Sequence, residues 1–192
     1  MLPGRIRVKD PFSGFSHLFG ALLSIAGLAA LITNVSGNRD AYHVVSVFVY
    51  GISMVLFYLL IAGTYTPYCL IPLRGPWGWS IVGVVWGMAI LGIVFKLFFL
   101  QAPRWVSTGI YLVMGWVCLA AIYPMIKKIP PGGMFFLALG GIFYSVGAVI
   151  YARKKPDPFT GVFGFHEIWH LFVLAGSIAH FISIYRYILV LP

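Results

Sequence analysis

The chain has 192 residues, of which 61% are hydrophobic and 9% charged, with a mean hydropathy of +0.97. A soluble domain carries roughly 25% charged residues, so this chain cannot cover a water-facing surface, and its main solvent is lipid. The net charge of +9 would suggest nucleic acid in a soluble protein. Here the basic residues flank apolar runs, as membrane anchors do, and nucleic acid is set aside as a partner.

In lipid the backbone must satisfy its own hydrogen bonds, so spanning segments are helices or closed barrels. A barrel strand needs about 10 residues of alternating polarity. The apolar runs here are longer and do not alternate, so the predicted fold class is all-α, a polytopic transmembrane helix bundle. Residues 1–192 read as a single integral membrane domain of the cell membrane, with the lipid bilayer as its partner.

Six apolar blocks follow in chain order: 13–34, 42–72, 78–100, 104–126, 133–151 and 165–189. The first has the length of a retained helix rather than a cleaved leader. The second is anomalous. A span takes about 20 residues, and this block is too long for one upright helix and too short for two. Gly63 and Pro67 predict a break, with a helix from about Tyr42 to Ile61 and an irregular end after it. The separators between blocks are Gly, Pro and charge clusters: Ser36 to Asp40, Arg74 to Pro76, Pro130 to Gly133, and Lys154 to Pro158. Trp77, Trp79, Trp105 and Tyr42 stand at block ends, where an interfacial aromatic belt is expected. Gly140, Gly141 and Gly147 are expected at close helix contacts. Cys69 and Cys118 lie in apolar segments and read as small buried hydrophobes.

Charge placement does not agree with block count. With six crossings and a cytoplasmic N-terminus, 7 of the 13 Lys and Arg fall inside, which is no bias. With seven crossings, the second block counted twice, 8 fall inside against 5 outside. Positive residues favour the cytoplasmic side, so charge leans to seven while length leans to six.

The chemistry concentrates in the last block, at Phe165-His166-Glu167-Ile168-Trp169-His170 and on to His180. His166 and His170, four apart, share one helix face at about 6 Å of rise. Two imidazoles at that spacing can grip one metal ion. Ser177 and His180 continue the stripe, which is expected to face the bundle interior because polar groups facing lipid are costly. In soluble metalloproteases a His-Glu-x-x-His pattern makes the Glu a general base. Here the pattern runs into a membrane span, and histidines that simply bond neighbouring helices are the competing reading. A catalytic zinc takes three protein ligands and one open position. The residues present offer no evident third: His17, His43 and His180 lie elsewhere along the chain, and Glu167 is the only acid inside a block.

At this point the sequence resembles the bacterial hemolysin III proteins, relatives of the adiponectin and progestin receptors. The resemblance rests on Ser16 to Gly27 (SHLFGALLSIAG), His43 to Ser46, Leu59 to Tyr68 (LLIAGTYTPY), Arg104 to Thr108, Met114 to Trp116, and Gly161 to His180 (GVFGFHEIWHLFVLAGSIAH). It implies seven helices with a cytoplasmic N-terminus. It implies a Zn²⁺ ion near the cytoplasmic ends, held by three histidines, two of which correspond to His166 and His170. The third histidine belongs to a Ser-x-x-x-His motif ending the second helix, and an Asp opening the third helix lies beside the metal. After Gly51 to Tyr58, this chain passes directly to Leu59 to Pro67. The end of helix two, the loop and the start of helix three look deleted, merging two helices into one of six segments and removing one zinc histidine and the aspartate. His17 aligns with a family histidine that is not a zinc ligand.

Three functions remain from this reading. One is a zinc-dependent membrane hydrolase acting on a lipid substrate such as a lipid amide, through a metal-activated water. Another is a pore-forming cytolysin without enzymatic chemistry, as the family's name implies. The third is a regulator of membrane state, with an incomplete zinc site and no chemistry of its own.

Overall fold

A computed structural model describes residues 11–35, 41–53, 59–98, 103–159 and 163–192. The helices are α1 (Pro11–Val35), α2 (Ala41–Ser53), α3 (Leu60–Leu70), α4 (Pro76–Phe98), α5 (Arg104–Trp116), α6 (Ile122–Lys128), α7 (Pro131–Arg153) and α8 (Phe165–Ser183). The chain is an all-α helical bundle of the multi-pass membrane type. Four helical stretches among the described residues are long and apolar enough to cross a bilayer: Pro76–Phe95, Thr108–Lys128, Pro131–Arg153 and Phe165–Ile188.

Local chemistry sets the boundaries. Pro76 and Pro131 open α4 and α7, where a missing N–H costs nothing and φ is already helical. Gly75 turns the chain into α4 at φ 122°, a region open to glycine. Helix α7 closes on Arg153, with Lys154 in the left-handed region at φ 54°. Between α5 and α6 the helix tightens to a 3₁₀ stretch, Val117–Ala121. Pro124 lies just beyond it. Its ring would meet the carbonyl of Ala120, and the local rewinding relieves that clash. Helix α8 ends in a π turn, Ile184–Ile188.

The anomalous second block differs from the expected merged segment. It forms two helices, α2 and α3, which pack against each other. Helix α3 begins at Leu60. Gly63 and Pro67 are inside α3, and the Gly63 N–H donates to Leu59 O at 2.7 Å. The described residues of α2 and α3 number 13 and 11. Nearly all of α3 is buried, against α2, α4 and α5.

The most extensive helix pair is α7 with α8. Glycines let these backbones approach. A Cβ on Gly140 would stand 2.7 Å from Cε1 and Nε2 of His180, and one on Gly147 would stand 3.0 Å from Phe172. Gly141 differs from the expectation of close packing: a Cβ there meets nothing within 4 Å. The outer faces carry exposed Leu22, Leu91, Val113 and Phe135, as lipid contact requires, and Trp77, Trp79 and Trp105 are exposed at helix ends. The Arg74 guanidinium stands 4.0 Å over the Tyr42 ring.

Candidate functional site

The start of α8 is built by its cap. Gly164 is the N-cap, in extended backbone, and its N–H donates to Glu167 Oε2 at 2.8 Å. This is the reciprocal half of a capping box, in which an acid at the third helical position satisfies an orphan amide. A side chain at 164 would collide with Asp157 Oδ1, so glycine is required by space as well. Glu167 is therefore buried and already engaged as a cap. The base role that the His-Glu-x-x-His pattern suggests is not the role this geometry gives it.

One turn of helix then aligns the two imidazoles. The His166 and His170 rings are 4.6 Å apart between centroids, edge to face. His166 stays partly open to solvent, with Nδ1 3.8 Å from Glu167 Oε1, while His170 is buried. Aromatic rings enclose the pair. Trp169 stacks on His166 at 5.5 Å and touches His170 at 4.6 Å, and Tyr151 from α7 lies 4.6 Å from Trp169. Tyr151 and Trp169 hold the imidazoles in place, and the spacing of the histidines alone did not point to them.

The polar stripe continues toward α7, as expected. Ser177 Oγ and Tyr144 OH bond at 2.9 Å, His180 lies 5.2 Å from the Tyr144 ring, and Ser183 Oγ donates to Gly133 O at 2.8 Å. The remaining histidines are dispersed. His43 is buried at the start of α2, with Nε2 2.9 Å from Leu191 O. His17 is on α1, but its side chain lies outside the described residues, as do Asp10 and Asp40. Cys69 and Cys118 are free; Cys69 is buried and Cys118 partly so.

A catalytic zinc calls for three protein donors. His166 and His170 supply two. Among the described residues, no group of three or more His, Cys, Asp or Glu is placed to hold a metal ion. Among the described residues, the donors brought together are thus His166 and His170 alone.

Fold and site together define a multi-pass helical membrane protein with an imidazole pair at the start of its last helix. The profile of the family described as "Haemolysin-III related" matches residues 57–181, and the chain belongs to that family. It is 40% identical to "Hemolysin-3" of Bacillus cereus, over 95% of this chain and 93% of the relative. Similarity to the "Hemolysin-3 homolog" of Bacillus subtilis (strain 168) is 38% identity, over 94% of each chain. The human "Monocyte to macrophage differentiation factor" is 28% identical over 68% of this chain and 52% of its own. No solved structure matches. The Bacillus cereus alignment runs over 210 positions but uses 95% of 192 residues, so about 28 positions of the relative have no counterpart here. That length suits the loss of one helix end, a loop and the next helix start.

Proposed function

We propose that this chain is a resident membrane protein that acts on the state of the bilayer, and that it is not a zinc hydrolase. The observation that carries this reading is the donor set: two imidazoles on one helix face, with the acid between them held as a helix cap. In the resemblance, the further histidine and the aspartate belong to a stretch this sequence lacks between Tyr58 and Leu59. His166 and His170 then make a two-donor grip for a transition-metal ion, zinc first among them, since neutral imidazole is a ligand that zinc favours. A grip with two protein donors would exchange its metal readily.

The test uses the full chain in lipid nanodiscs. Bound zinc is measured after dialysis against zinc and then against a chelator, and lipid-amide hydrolysis is followed by chromatography. The expected result is zinc that the chelator strips, that falls away in His166→Ala and His170→Ala, and amide hydrolysis at background throughout. A deletion strain is expected to show altered lipid composition or fluidity, and purified chain added to dye-filled vesicles is expected to release no dye. One zinc per chain that survives the chelator, with amide hydrolysis abolished by His170→Ala, overturns the proposal.

A further inference from the structure

The polar stripe of α8 ends in a group of uncharged side chains drawn from four helices. His180 and Ser183, three apart, share one face of α8. Tyr68 of α3 stands beside Ser183, and Tyr144 of α7 lies 5.2 Å from the His180 ring. Tyr50 of α2 is near both tyrosines. Tyr50, Tyr68, His180 and Ser183 are all buried, and His180 lies well inside the span Phe165–Ile188. This is polar chemistry at membrane depth.

Hydrogen bonding in the group is incomplete. Tyr144 and Ser177 pair with each other, and Ser183 sends its proton to Gly133 O. Tyr68 Oη and His180 Nδ1 have no hydrogen-bond partner among the described residues, although the two residues are only 3% and 6% exposed. Buried polar atoms nearly always find a partner, in the protein or in ordered water. Tyr65, three residues earlier on α3, is the contrast. Its hydroxyl donates to Gly115 O at 2.6 Å and accepts from the Cys118 N–H at 3.0 Å.

Tyr68, Tyr144 and His180 line one cavity, bounded by helices α3 to α8. It leaves about 580 Å³ open to the centres of water molecules, where one water needs roughly 10–15 Å³. None of the described lining residues is Asp, Glu, Lys or Arg, so an ion drawn in would be a buried charge without a partner. Water carries no such cost. The lining also includes Tyr151 and Trp169, the rings beside the partly exposed His166. We propose that ordered water is bound where Tyr68, Tyr144 and His180 meet, linking α3 to α8 at membrane depth and entering from the His166 end. Water binding here is independent of any metal at His166 and His170.

The full chain in lipid nanodiscs is exposed to brief X-ray pulses, which split water into hydroxyl radicals, and oxidised side chains are quantified by mass spectrometry. The radicals react where they form, so bound water marks its buried neighbours. Tyr65 and Tyr68 share a helix, a cavity and a ring chemistry, so the ratio of their labelling rates reports local water. Tyr68 is expected to label at least about fivefold faster than Tyr65, because the ordered water sits at the unmatched atoms. His180→Leu is expected to bring Tyr68 down to the Tyr65 rate, with folding checked by circular dichroism. Tyr68→Phe serves if His180→Leu does not fold, and is expected to slow the labelling of His180. A Tyr68 rate no higher than that of Tyr65 overturns the proposal, whether both are low, as in a dry core, or both high, as in a cavity flooded throughout. So does a Tyr68 rate that stays at its wild-type value in a folded His180→Leu chain, or an unchanged His180 rate in a folded Tyr68→Phe chain.

Discussion

Replacing Gly140 by alanine tests the packing that holds the polar stripe together. The new Cβ would stand 2.7 Å from Cε1 and Nε2 of His180 and 2.9 Å from Cδ2. Non-bonded carbons settle at about 3.5–4.0 Å, so α7 or the imidazole must shift by nearly 1 Å. The ring has little room to retreat, being buried with Tyr144 at 5.2 Å on another side. Overpacking of this kind costs about 1–3 kcal/mol. A chain of this size loses about 2–4 °C of Tm per kcal/mol, which gives a fall of about 2–12 °C. The assay is thermal unfolding in detergent for the wild type, Gly140→Ala, His180→Ala and the double variant. Contact between the two positions requires that the double variant recover most of the Gly140→Ala loss, with a coupling of about 0.5–3 kcal/mol. A Gly140→Ala chain as stable as the wild type, or losses that simply add, would refute the close α7–α8 approach.

Other outcomes follow from the same contacts. Glu167→Ala removes the acceptor from the Gly164 N–H and is expected to cost about 0.5–2 kcal/mol by thermal unfolding. Glu167→Gln keeps an acceptor oxygen and should retain most of that stability, an outcome that a base role would not require. Ser183→Ala breaks the 2.8 Å bond to Gly133 O, and intramembrane bonds of this type average about 0.6 kcal/mol, so a small fall in Tm is expected. Gly164→Ala should lower Tm through its clash with Asp157, and pairing it with Asp157→Ala should restore part of the loss.

The bundle was legible from composition because lipid leaves helices as the structure for runs of this length. The His166–His170 face was legible because a spacing of four on a helix fixes a shared side. Burial of the polar stripe followed from the cost of exposing Ser177 or His180 to lipid. The two-helix form of block 42–72 was legible in the charge count and not in the local pattern, because Gly63 and Pro67 read locally as breakers. In the structure Pro67 is accommodated within a buried helix, and tertiary packing outweighs its local preference. The role of Glu167 was obscured for a related reason: an acid between two histidines looks chemical until Gly164 is seen as the cap it serves. The cavity between the helices leaves no periodic mark in the sequence, since it is bounded by residues from six helices and includes Gly141, which by composition looks like a packing glycine.

The pairing of α2 with α3 has a consequence for orientation. Two neighbouring helices that pack against each other contribute an even number of crossings whether each spans the bilayer or the pair turns back. Loss of about 28 residues therefore need not invert any helix after α3. With that parity, helices α4 to α8 would have the sidedness of a seven-crossing chain, the assignment in which the sequence count puts 8 of 13 cationic residues on the cytoplasmic side. A cut taken from one helix alone would have flipped the rest of the protein; a cut shared between antiparallel neighbours leaves it the same way up.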